Sequence, residues 1–141
     1  ELDITYSEST GYDPFNLLQY DDKENWFETH NSPNSWIYFE FKKHQVIPSD
    51  YIIRAYNSND YKRLKTWKIE GSNDKQKWIP LDSRTNNSEL KGEAHAHLFH
   101  ISNSEHKDEP IKYLRIQQLE KNWDNNDYLL LNSIEFYGKI I

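Results

Sequence analysis

Apolar positions in this chain alternate with polar ones over short runs, and clusters of Asn, Ser, Asp and Pro separate the runs. Period two sends successive side chains to opposite faces of an extended backbone, so each run predicts a half-buried strand. The clearest stretch is Leu64 to Arg84, LKTWKIEGSNDKQKWIPLDSR. On its left arm Trp67, Ile69 and Gly71 fall on one face and Thr66, Lys68 and Glu70 on the other. Ser72-Asn73-Asp74 follows, with short side chains that bond back to their own backbone and so predict a turn. The right arm begins at Trp78 and Leu81, and the two large rings are expected to close over the same core.

Five further runs read as strands. Trp36 to Phe41 places Ile37, Phe39 and Phe41 inward and Glu40 outward, with the rings of Trp36 and Tyr38 partly covered. Val46-Ile47-Pro48 leads into Tyr51 to Ala55, where Pro48 suits an entry turn or an edge. Ala94 to Ile101 alternates again, Lys112 to Gln117 sends Leu114 and Ile116 to one side, and Leu129 to Gly138 closes with Ile134 and Phe136 inward. Polar loops fall at Glu8 to Pro14, His30 to Ser35, Tyr56 to Lys62, Ser102 to Pro110 and Lys121 to Asp127. No segment holds a helical period over three turns. The pattern predicts an all-β, two-sheet antiparallel sandwich of jelly-roll type with about eight strands.

Composition narrows the function. The 141 residues fit one domain, 1–141. Hydrophobic residues are only 35% of the chain but aromatics reach 15%, so few, large side chains must fill the interior. A net charge of -6, with both signs interleaved, argues against a nucleic-acid surface or an anionic-membrane patch. There is no cysteine, hence no disulfide, thiolate metal site or cysteine nucleophile, and the expected compartment is cytoplasmic rather than secreted. The chain begins at Glu1 without Met and is expected to be a fragment of a longer protein. Asn86-Asn87-Ser88 is a formal glycosylation sequon that matters only in a secreted protein, and without cysteines a polar loop is the favoured reading.

No catalytic motif is present: no GxSxG, HExxH, phosphate loop or GxGxxG, and only 4 Gly. An enzyme is not expected. His95 and His97 share one strand face and could chelate a metal, but Phe99 and Ile101 share that parity, which makes a partly covered strand face the simpler reading.

Four segments carry a family resemblance: Ser35 to Phe41, the run Trp67 to Asp74 followed by Trp78, Tyr113-Leu114-Arg115-Ile116, and Ser133 to Gly138. In this order they resemble the discoidin domain, the coagulation factor V/VIII type C module, across nearly the whole chain. The wording is especially similar to discoidin-like modules that follow BTB domains in some unicellular eukaryotes. The resemblance implies a galactose-binding-like jelly roll and a non-catalytic binding module. Extracellular members tie their termini with a disulfide that this chain cannot form.

Many relatives hold a structural Ca²⁺ before the tryptophan-led strand, with a Glu from the final strand. Asp21 to Thr29 resembles that loop, so Asp21, Asp22 and Glu135 are candidates for a degenerate calcium site. Lys23 stands where the family has an acidic ligand, and Asn25 where Thr is common. An ammonium in place of a carboxylate removes an oxygen and adds repulsion. Calcium is therefore expected to be weak or absent, no other cofactor is expected, and Lys23 is the expected partner of Glu135.

The resemblance gathers several loops at one end of the sandwich. Here they carry Tyr12 and Asp13, then Asn31 and Asn34, then Tyr56, Asn57, Asn59 and Tyr61, and last Trp123, Asp124 and Asn125. Aromatic faces beside amides and carboxylates suit a sugar's C–H face and vicinal hydroxyls. These are also ordinary turn and anchor residues. Two partner classes stay open, a protein bound by an adaptor domain and a glycan bound by a lectin-like module. Zero cysteine and net acidity favour the protein; the loop chemistry permits the glycan. The loops lack projecting apolar side chains, so membrane insertion is not expected.

Overall fold

The computed structural model of the chain describes residues 2–7, 9, 13–22, 24–56, 62–91 and 96–141. Within them lie ten strands: β1 (Leu2–Tyr6), β2 (Phe27–Glu28), β3 (Trp36–Phe41), β4 (Val46–Arg54), β5 (Trp67–Ser72), β6 (Ile79–Arg84), β7 (Ala96–His100), β8 (Tyr113–Gln118), β9 (Leu130–Leu131) and β10 (Ser133–Ile140). Two 3₁₀ turns, Pro14–Leu18 and Ser104–His106, are the only helical elements among the described residues. A five-stranded sheet runs β1-β3-β8-β5-β6, a three-stranded sheet β10-β4-β7, and a small ribbon pairs β2 with β9. All pairings are antiparallel. This is the expected all-β sandwich, with ten strands among the described residues where the sequence pattern predicts about eight; β1 and the short β2 fall outside the runs read from the sequence, and β9 lies within the Leu129 to Gly138 run.

The core lies between the two large sheets, and rings bridge it. Trp67 of β5 meets Phe99 of β7 edge-on at 5.2 Å, and Phe39 of β3 meets Phe136 of β10 at 5.5 Å. Ile37, Ile53, Ile69, Leu114, Ile116 and Ile134 fill the space between them. Each fully buried side chain of this size contributes roughly 1.5–3 kcal/mol relative to exposure.

Trp78 corrects one expectation. It precedes β6 with the parity of Pro80, while Ile79 and Leu81 point inward, so it lies outside the core that holds Trp67. Its ring instead joins an outer row on the five-stranded sheet, with Tyr38 at 6.0 Å and the Arg115 guanidinium 3.9 Å above it. Tyr38 in turn stacks on Trp36 at 5.1 Å, which explains why these two rings are half-covered.

The turn after β5 forms as its sequence predicts. Ser72 Oγ accepts from the backbone N–H of Asp74 and Lys75, and Asp74 Oδ1 accepts from those of Gln76 and Lys77. The Lys77 and Gln76 amides hold the Asp74 carboxyl below the usual carboxylate range. Lys75 takes the positive φ of 62°.

The strand directions fix which loops meet. The register pairs Tyr6 with Ile37, Trp36 with Gln117, Trp67 with Gln118 and Arg84, and Arg54 with Ser133 and Ala96. The segments before β3, β5, β7 and β10 and those after β1, β4, β6 and β8 therefore share one rim.

Candidate functional site

Three rim segments are knitted together by main-chain hydrogen bonds. Leu119 N–H donates to Thr66 O at 3.0 Å, Trp123 N–H to Arg63 O at 3.0 Å, and Asn87 N–H to Lys65 O at 2.8 Å. Where they converge, the indole N–H of Trp123 donates to Asn87 O at 2.9 Å and fixes the ring's orientation. Trp123 is half-buried, and with Arg63, Lys91 and Asp124 it lines a depression of about 330 Å³. Lys91 Nζ lies 4.2 Å from the ring centroid and Lys65 Nζ 4.8 Å.

Asn122 builds the loop that carries Trp123. It is buried, its Oδ1 accepts from the N–H of Asp124 and Asn126, and its Nδ2 donates to Asn126 Oδ1 and Tyr128 O. This Asx pattern lets a short asparagine replace a longer stretch of regular structure. Asn125 then adopts a φ of 59°, which asparagine tolerates better than most residues. Lys121 pairs with Asp127 at 2.9 Å across the loop's base.

The sequence-predicted residues divide three ways. Trp123 and Asp124 stand together at the depression, with Asp124 Oδ2 accepting from Asn126 Nδ2 at 3.2 Å, and Asn125 follows them in the turn at its positive φ. Asn31 and Asn34 serve the neighbouring loop: Asn31 Oδ1 accepts from Asp127 N–H at 2.7 Å, and Asn34, at φ 61°, receives Gln117 Nε2 on its carbonyl. Tyr56 packs against Trp26 at 5.4 Å, and Asp13 caps the first 3₁₀ turn through Phe15 N–H. Tyr12, Asn57, Asn59 and Tyr61 lie outside the described residues, as do Lys23 and His95. His97 faces Glu89 and packs on Phe99, and no metal-holding group of three His, Cys, Asp or Glu exists among the described residues.

Sequence reasoning missed Arg63, Lys65, Lys91, Asn87 and Asn122 as site builders. The basic residues at 62, 63 and 65 are visible in the sequence, but nothing there brings Lys91 to the same ring. Lys62 is spent elsewhere: its ammonium pairs with buried Glu28 at 3.2 Å and lies 4.3 Å from the Tyr128 ring.

The loop proposed for calcium is closed by an amide. Asn132 is fully buried, and its Nδ2 donates to the carbonyls of Asp22 at 2.8 Å and Asn25 at 2.6 Å. Asp22 uses its own carboxylate to cap Glu24 N–H, and Asp21 is exposed. Glu135 accepts from the Tyr137 hydroxyl and raises its pKa. Burial, with the Glu135 charge beside it, pushes the Tyr20 phenol up to about 12. Two carbonyls that converge on this loop therefore already receive amide protons.

The family model of the F5/8 type C domain matches residues 3–133. No curated protein matches the chain significantly in sequence. Among solved structures, the CBM32-3 module of a family 31 glycoside hydrolase from Clostridium perfringens is similar at TM-score 0.73 and 18% identity, covering 98% of this chain and 91% of that one. The lectin domain of lectinolysin, complexed with Lewis B antigen, is similar at TM-score 0.73 and 13% identity, covering 97% and 92%. The CBM32 of AlyQ, in complex with 4,5-unsaturated mannuronic acid, is similar at TM-score 0.69 and 14% identity, covering 96% and 93%. At these identities the likeness carries the fold.

Proposed function

The chain belongs to the F5/8 type C domain family, and from that premise we propose that it is a non-catalytic module binding carbohydrate at the Trp123 rim. The observation that carries this is the convergence of three cross-linked rim segments on one half-buried, orientation-fixed indole with amide and carboxylate groups at its edge. An aromatic face whose neighbours are already anchored pays little ordering entropy when a sugar stacks on it. The saccharide ligands of the lectinolysin and AlyQ modules support a glycan over other classes. A glycan array probed with the folded chain and with Trp123→Ala tests the reading: reproducible binding lost in the variant supports it, and a blank array overturns it.

A protein partner at the same rim is the second reading, favoured by zero cysteine and a net charge of -6. A blank array from folded protein would move the assignment there.

The loop between residues 19 and 26 is, on this reading, held without calcium. The two N–H bonds of the Asn132 amide point at the Asp22 and Asn25 carbonyl oxygens, whose lone pairs would otherwise be offered to a cation.

A further inference from the structure

We propose that the saccharide bound at the Trp123 rim is acidic, carrying a ring carboxylate of the uronic acid type. This rests on the carbohydrate reading above and names its ligand class.

Two ammoniums converge on one indole: Lys91 at 4.2 Å and Lys65 at 4.8 Å from the Trp123 centroid. Among the described residues neither enters an ion pair; each has the ring's π face as its counter-group. Each of the carboxylates nearby accepts at least one hydrogen bond from a neighbouring side chain, and none of them pairs with Lys65 or Lys91. Glu89 receives Asn87 Nδ2 at 3.0 Å and faces His97, Glu120 receives Thr66 Oγ1 at 3.3 Å, and Asp124 receives Asn126 Nδ2. The buried guanidinium of Arg63, 1% exposed, lines the same depression.

The arrangement discriminates between sugars. A neutral pyranose that stacks on a face of Trp123 covered by a lysine displaces that ammonium and leaves it with water alone. An acidic pyranose displaces it too, but its ring carboxylate offers the freed ammonium a charge-assisted hydrogen bond in place of the lost cation–π contact. Lysine suits this role because its long stem lets the ammonium swing while the backbone stays fixed, and Lys65 is fixed by the Asn87 N–H on its carbonyl.

The test is titration calorimetry of the chain with a galacturonic acid oligosaccharide and with its fully methyl-esterified form, which keeps the ring and removes the charge. The proposal expects the acid to bind at least about tenfold more tightly than the ester, and Lys65→Gln with Lys91→Gln to remove about tenfold of the acid's affinity and so collapse the acid-to-ester ratio towards one. Raising the salt should weaken the acid and leave the ester unchanged. Unchanged melting temperatures exclude misfolding of the variants. Equal affinity for acid and ester, or an acid affinity indifferent to both lysines, overturns the acidic ligand while the carbohydrate reading stands. Failure of both to bind, together with a blank array, overturns both.

Discussion

The indole N–H of Trp67 donates to the hydroxyl of Tyr51 at 3.0 Å, joining β5 of one sheet to β4 of the other through the middle of the core. The same hydroxyl donates to Asp82, whose carboxylate also takes Arg84 Nε at 3.0 Å and Ser102 Oγ at 2.6 Å. A buried polar group of this kind is tolerable because every donor has an acceptor.

Removing the Tyr51 hydroxyl would leave the Trp67 N–H and one Asp82 lone pair without a partner in a dry site. Tyr51→Phe should therefore lower stability by about 1–3 kcal/mol, against the near-neutral effect of an exposed Tyr→Phe change. Urea unfolding of the variant beside Tyr137→Phe, an exposed position, measures the difference.

Alkaline sensitivity follows from two phenols. Burial raises the Tyr20 pKa to about 12, and burial together with the Asp82 carboxylate raises that of Tyr51 further. Both folded pKa values exceed the unfolded value of 10.0, so the folded state favours the neutral phenols. Both contributions are complete below pH 10; that of Tyr20 is lost as pH climbs through about 12, and that of Tyr51 only above it. Melting temperatures measured across this window should fall, and Tyr20→Phe should flatten part of the fall.

The Asn132 amide predicts indifference to calcium. Chelator or added Ca²⁺ should leave the melting temperature of the chain unchanged. Asn132→Asp removes the two N–H donors and puts a carboxylate against the Asp22 and Asn25 carbonyls; it should destabilise by about 1–3 kcal/mol, with calcium restoring part of the loss. A calcium-dependent shift in the unmodified chain would contradict the account.

Gly138 sits at the irregularity where β10 slips against β4. A Cβ there would lie 2.1 Å from Ile47 O and 2.8 Å from Pro48 Cα, both main-chain atoms that cannot turn away. Gly138→Ala should destabilise by about 1–3 kcal/mol or more, measured by thermal unfolding. At Gly71 the close atom is Ile111 Cδ1, the end of a side chain, so Gly71→Ala should cost less.

Much of this fold is legible in the sequence because its signals are local. The alternation from Trp36 to Phe41 and the Ser72-Asn73-Asp74 turn each need only neighbours along the chain, and both form as read. Trp78 lies outside the core although its size suggests otherwise, because its parity, opposite to that of Ile79 and Leu81, decides the face. The ribbon of Phe27–Glu28 with Leu130–Leu131 spans about a hundred positions and is too short for periodicity to reveal. The rim is legible by residue type at Trp123, Asp124 and Asn125. Its charge is not, because Lys91 reaches the ring from a segment more than thirty positions away, through the bond between Trp123 and Asn87. Asn132 escaped for the same reason: its role depends on carbonyls 107 and 110 positions distant.

The most direct test of the account is an ¹H–¹⁵N correlation spectrum of the chain titrated with the saccharide that scores highest on the array. Binding at the rim predicts that the Trp123 indole N–H and the amides of Lys65, Asn87, Lys91 and Asp124 shift together, and that Trp67 in the core stays still. Shifts gathered instead around Phe41, Val46 and Ile140, which line the cleft at the opposite end, would contradict it.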